Sequence, residues 1–269
     1  MTDPDPDRLA TAERILRRER RRTVDEREAF DALRAAVRDT PTERAQSVPP
    51  ESPAPSVLSG ATNTGSNGAT AVRRAYERTV MAVPHYEEEY GDALRESLEA
   101  EFGTEVVVGL TDLGRLTPGL KRAVLDAAGT ARAERDRFVE ALDAEADSLR
   151  GSETRLAVIR DELGTLADEP TPDFGARDAV RARLGVLAGD CDAVADDRQA
   201  TLREWDDRFD PPAGVPDLPR YLYADLDATY PVLATVAEVG ERVTRLRRCV
   251  EREMAAPPRA DDAPGTSSD

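Results

Sequence analysis

The chain is 269 residues long, with aromatics at only 4%, charged residues at 34% and a formal net charge of −17. So few rings and so many charges exclude a broad, deep globular core and favour a thin core of Leu, Val and Ala along helix seams. Two cysteines, Cys191 and Cys249, exclude a disulfide framework.

Lys121 is the only lysine, and Ile15 and Ile159 are the only isoleucines. Abundant Asp and Glu, with Arg in place of Lys, fit a protein built for a high-salt cytoplasm. There a screening length of roughly 3 Å makes carboxylate repulsion tolerable. By the same argument the acidic balance says little about a basic partner. No apolar run approaches the ~18 residues that span a membrane. The start, Met1-Thr-Asp-Pro-Asp-Pro-Asp, has neither the basic nor the apolar part of a signal peptide. The expected compartment is the cytoplasm, with no membrane partner.

A first helix is expected over 8–38. Leu9, Leu16, Thr23, Phe30 and Val37 recur every seven residues, with Ala12 and Leu33 on a companion seam that Glu19 and Glu26 interrupt. Its middle is polar nearly all round. It is expected to be held by Glu–Arg pairs three and four apart, each worth about 0.2–0.5 kcal/mol. Such a helix would dock by its ends or pair with another chain. Residues 40–69 hold Pro41, Pro49, Pro50, Pro53 and Pro55, then Gly60, Gly65 and Gly68. This composition predicts a disordered linker, spanning roughly 30 Å as a flexible coil.

Val72, Tyr76, Val80 and Val83 predict a stripe on the next helix. Pro84 suits the first turn of another, carrying Tyr86, Tyr90, Leu94, Leu98 and Phe102 to a stop at Gly103. The apolar patch from Glu105 to Thr111 has no strand candidate to pair with and predicts a short helix. Thr117-Pro118 is a helix start. From there one seven-residue seam runs Val124, Ala131, Phe138, Glu145, Ser152, Ile159, Leu166, and a second runs Ala128, Arg135, Leu142, Leu149, Leu156, Leu163. Two seams on one stripe need a partner helix. Some fifty residues of helix would extend about 75 Å.

Pro170 and Pro172 end that helix. The next repeat is Val180, Leu187, Val194, Thr201 with Leu184, Cys191, Arg198, Trp205. A short proline turn between seamed helices predicts antiparallel neighbours. Phe209 and Pro211-Pro212 would close this hairpin. A short helix about 218–223 follows. Tyr230-Pro231 then starts a last long helix, with seams Val232, Val239, Leu246 and Val236, Val243, Val250. Tyr221, Tyr223 and Tyr230 would cap a bundle end. Residues from Pro257 onward form a polar tail expected to be disordered. The expected fold is all-α: an elongated helical bundle with a long antiparallel coiled-coil hairpin. Its divisions are a first helix (1–39), a linker (40–69), the bundle (70–256) and a tail (257–269).

Few residues invite chemistry. His85, the only histidine, sits beside Tyr86, Glu87-Glu88-Glu89 and Tyr90. Helix spacing would bring Glu88 and Glu89 near it, a fragment of a metal or proton-relay site. First-turn glutamates also complement a helix N-terminus, a structural reason for the same residues. Arg17, Arg18, Arg20, Arg21 and Arg22, with Arg14, form the one dense basic cluster. They fit phosphate contact or, more simply, a solvated face paired with nearby Glu and Asp. Asp190, Asp192, Asp196 and Asp197 lack calcium-loop spacing and predict a hydrated face. No phosphate-cradling glycine loop or nucleophile elbow is present. No catalytic residue, metal or cofactor is expected.

The stretches Thr79-Val-Met-Ala-Val-Pro-His-Tyr-Glu-Glu-Glu-Tyr90, Leu116-Thr-Pro-Gly-Leu-Lys-Arg122, Tyr221-Leu-Tyr-Ala-Asp-Leu-Asp227 and Tyr230-Pro-Val-Leu233 resemble an uncharacterised protein family of halophilic archaea. Glu19-Arg-Arg-Arg-Thr-Val-Asp-Glu-Arg-Glu-Ala-Phe30 looks like that family's opening helix. The resemblance covers nearly the whole chain except 40–69 and the tail. It implies a halophilic host and an all-helical fold, and no activity. The expected role is therefore a non-enzymatic scaffold or regulator that binds a protein partner or itself. The alternatives are a nucleic-acid-associated regulator using the arginines, and a metal or enzymatic protein centred on His85.

Overall fold

Thr117 Oγ accepts the backbone N–H of Leu120 at 3.1 Å and opens α6 (Pro118–Asp168). The computed structural model describes residues 8–42, 67–208 and 217–256, and those residues are all-α. The other helices are α1 (Arg8–Asp39), α2 (Asn67–Thr79), α3 (Tyr86–Glu89), α4 (Leu94–Phe102), α5 (Thr104–Thr111), α7 (Phe174–Arg208), α8 (Leu218–Leu222) and α9 (Pro231–Ala255). Most of the expected linker, the Phe209–Pro212 closure and the tail lie outside the described residues.

The chain divides into two compact units, one of residues up to Arg17 and from Ala144 onward, the other Arg18–Asp143. Both α1 and α6 contribute residues to each.

In the unit Arg18–Asp143, α1 runs antiparallel to α6. As the α1 residue rises through Arg20, Arg27 and Asp31, its ion-pair partner on α6 falls through Asp143, Asp136 and Arg132. This helix docks by its C-terminal end, as expected: Phe30, Leu33 and Val37 lie in one core with Val72, Tyr76, Leu98, Leu110 and Val124. Its polar middle is held mainly by charges on other helices rather than by neighbours three and four along. Lys121 Nζ closes the end of α1 by donating to Arg38 O (2.6 Å) and Thr40 O (2.7 Å).

The single helix expected after Pro84 is two helices. Gly91 takes φ +58, a left-handed conformation that glycine adopts without penalty, and its N–H donates to Tyr86 O at 3.1 Å. Helix α4 restarts at Leu94, with the Glu96 carboxylate accepting the Ala93 N–H at 3.3 Å. Tyr86, Leu98 and Phe102 are buried, whereas Tyr90 is left exposed. The apolar patch at Glu105–Thr111 is helix α5.

In the other unit, α6 and α7 form the antiparallel hairpin. Partners on α7 descend through Arg198, Asp197 and Arg183 as those on α6 ascend through Glu145, Arg155 and Glu162. Asp173 Oδ1 accepts the Ala176 N–H (2.8 Å) and starts α7 after the proline corner. Leu149, Leu156, Ile159 and Leu163 are buried with Val180, Leu184, Leu187, Cys191 and Val194. Helix α9 lies against α7, burying Val232, Val236, Val239, Val243 and Val250. Arg8 ties the start of α1 to Asp227 (2.9 Å) and Glu238 (2.8 Å). No described helix is long and apolar enough to cross a membrane.

Candidate functional site

The heptad repeats contain charged residues at positions meant for apolar ones, and these residues build two interior polar clusters. Glu26 interrupts the seam of α1, and Arg135 interrupts that of α6. They meet inside the Arg18–Asp143 unit, where Arg135 Nε donates to Glu26 Oε2 at 3.1 Å. Arg135 also grips Glu101 of α4 through two bonds of 2.6 and 3.2 Å, and its guanidinium lies 5.1 Å from the Phe30 ring centroid. Glu26 Oε1 takes His85 Nε2 (3.0 Å) and the Tyr90 hydroxyl (3.0 Å). One glutamate thus joins α1 to α6, to Tyr90 and to the residue before α3. Burial pushes the Glu101 carboxyl above its ordinary range, and the Arg135 charge opposes that rise.

The expected grouping of His85 with Glu88 and Glu89 does not form. His85 is buried and turns to Glu26, while Glu88 (3.0 Å) and Glu89 pair with Arg22. Tyr86 is buried, and its hydroxyl donates to Asp92 O at 3.4 Å. Among the described residues, no group of three or more His, Cys, Asp or Glu is placed to hold a metal ion.

The arginine cluster is dispersed around α1. Arg20 pairs with Asp143 (2.5 Å), Arg22 with Glu88 and Glu89, and Arg17 with Glu13 (3.2 Å). Arg18 and Arg21 are exposed. The four aspartates of α7 are also exposed, with Asp197 bound to Arg155.

The second cluster lies in the unit from Ala144 onward. Glu145 of α6 accepts two parallel bonds from Arg198 of α7, at 2.8 and 2.7 Å, and a third from the Tyr223 hydroxyl at 2.8 Å. Arg198 Nη1 also donates to Ser148 Oγ (3.0 Å). All three principal side chains are out of solvent. Burial raises the Tyr223 phenol well above its usual value, and the Glu145 charge adds to the rise. The expected cap of three tyrosines is not a single group. Tyr223 enters this cluster, Tyr221 is exposed, and Tyr230 donates to Asp217 at 3.4 Å.

Sequence reasoning singled out His85 and the arginines and passed over Glu26, Arg135, Glu145 and Arg198. The signal for these four was their place on otherwise apolar seams. A charge at such a place needs a buried counter-charge. Chemically, each cluster joins its helices through charge-assisted bonds.

Comparison with known proteins places this geometry in a family without fixing an activity. A translation initiation factor 6 of Halorubrum lacusprofundi is 36% identical over 91 residues, which is 34% of this chain. The match covers 41% of that protein's length. No solved structure matches. A family model described as "Domain of unknown function (DUF7260)" matches residues 7–247, most of the chain and both interior clusters, and the protein belongs to that uncharacterised family.

Proposed function

We propose that this chain is a non-enzymatic helical interaction protein, a scaffold or regulator in the cytoplasm, that binds a protein partner or a second copy of itself. One observation carries the reading. The α6–α7 hairpin has its interior charges committed to each other at Glu145 and Arg198, while Val158, Phe174 and Val186 stay exposed on it. Large apolar side chains left in water on both arms of one hairpin support a surface that another protein covers. Cys191 and Cys249 are both free thiols, as suits a reducing compartment.

The test is purification of the tagged full chain from its native host at the host's own salt, followed by sizing and composition of the complex. The expected result is a stoichiometric assembly, either with one protein or with itself. A chain that emerges alone and monomeric overturns the reading.

A second reading, a nucleic-acid-associated regulator, draws on the exposed Arg18 and Arg21 of α1. Binding that weakens steeply with salt and vanishes when both become Gln would support it. Unchanged binding in that variant removes it.

A further inference from the structure

Residues 155, 158 and 162 of α6 are three and four apart and share a helix face, as do 183, 186, 190 and 197 of α7. Two ion pairs, Arg155–Asp197 and Arg183–Glu162, cross between these stripes. Val158 and Val186 lie on the same outward side, and they are 63% and 48% exposed. A β-branched residue gains little on an open helix surface. Gly151 continues the α6 stripe, and a Cβ there would meet no atom within 4 Å. Nothing inside the chain requires glycine there, although glycine weakens a helix. Small and glycine positions on a helix face permit close approach by another backbone.

We propose that this outward face of the α6–α7 hairpin docks a second copy of the chain. The proposal rests on the interaction reading above and names its surface and its partner. The charge pattern selects the occupant. On α6 the order is Arg155 then Glu162; on α7 the residues paired with them are Asp197 and Arg183, of opposite sign at each rung. A two-fold axis along the hairpin sets α6 of one copy against α7 of the other. Arg155 then meets Asp197 of the second copy, and Glu162 meets its Arg183. Such a surface is self-complementary, as a two-fold interface requires. A polyanion would meet two carboxylates of its own sign in the same frame. The two valines supply the apolar centre, which is not screened by salt.

The experiment is sedimentation velocity of the full chain over a range of concentrations, at low and at molar salt. A concentration-dependent dimer that persists at molar salt is expected. Val158→Glu and Val186→Glu should each weaken association by at least about tenfold, because an unpaired carboxylate is costly to bury. Ala237→Glu adds the same charge at an exposed position of α9 and should leave the dimer unchanged. Gly151→Leu gives a check independent of charge: the larger side chain has open space within the chain and favours helix, so monomer stability should rise while dimerisation falls. Circular dichroism confirms that each variant keeps its helicity. A wild-type chain that is monomeric throughout overturns the proposal, as does a dimer indifferent to Val158→Glu, Val186→Glu and Gly151→Leu. A monomer that still co-purifies with another protein removes the second copy and preserves the broader reading.

Discussion

Glu145 and Arg198 face each other across the hairpin through two bonds of 2.7 and 2.8 Å, with neither side chain in contact with solvent. Removing one partner strands a charge in the interior. Arg198→Met alone should cost about 3–5 kcal/mol, read as a lower denaturation midpoint. Replacing the set together, Glu145→Leu with Arg198→Met and Tyr223→Phe, should be neutral or stabilising by about 1–4 kcal/mol. A single variant as stable as wild type would show that the pair is not buried in solution.

The only lysine of the chain has a comparable local task. Lys121 Nζ bonds the carbonyls of Arg38 and Thr40, where α1 ends. An ammonium there satisfies orphan carbonyls and complements the negative end of the helix. Lys121→Met should cost about 1–2 kcal/mol and speed hydrogen exchange in the last turn of α1. Lys121→Arg should restore only part of this, because a planar fork cannot converge on two carbonyls as a compact ammonium does. Unchanged exchange in Lys121→Met would contradict the cap.

Two glycines of the Arg18–Asp143 unit should respond differently to alanine. A Cβ on Gly68 would sit 2.8 Å from Leu116 Cβ and 3.3 Å from Pro41 O, against a fully buried leucine. Gly68→Ala should therefore lose about 1–3 kcal/mol. A Cβ on Gly109 would meet the outer methyls of Leu120, at 2.7 and 3.0 Å. That flexible chain end is able to move, and alanine favours helix by about 1 kcal/mol, so Gly109→Ala should stay close to wild type. Thermal unfolding of the two variants in the reverse order would contradict the packing around Leu116.

Alkaline titration should separate the tyrosines. Burial raises the phenols of Tyr76 and Tyr223 above the ordinary value of about 10. Both ionise more readily in the unfolded chain, so the native state binds more protons above that value. Stability is then complete below the ordinary phenol pKa and declines as the pH climbs from it toward the raised values. Phenolate absorbance should show these two rings ionising only as the protein unfolds. Their ionisation in a chain that keeps its helicity would sink this assignment.

Helix limits were legible where the instruction is local. Thr117-Pro118 starts α6, Tyr230-Pro231 starts α9, and the proline corner after Asp168 separates α6 from α7. The break at Gly91 was not legible. A continuous apolar spacing from Tyr86 to Phe102 passes through it, and the backbone, left-handed at Gly91 and extended at Ala93, shows that the helix stops.

The sequence by itself determined that the described chain is helical and which stripe of the long helices α6, α7 and α9 turns inward, because seven-residue spacing acts within a single helix. Tertiary structure decided where the charges on those stripes find partners. Glu26 and Arg135 are 109 residues apart, and Glu145 and Arg198 are 53 apart. No local pattern specifies pairs at that separation. Packing alone brings them into reach, and the desolvation that each charge would otherwise suffer then holds them together.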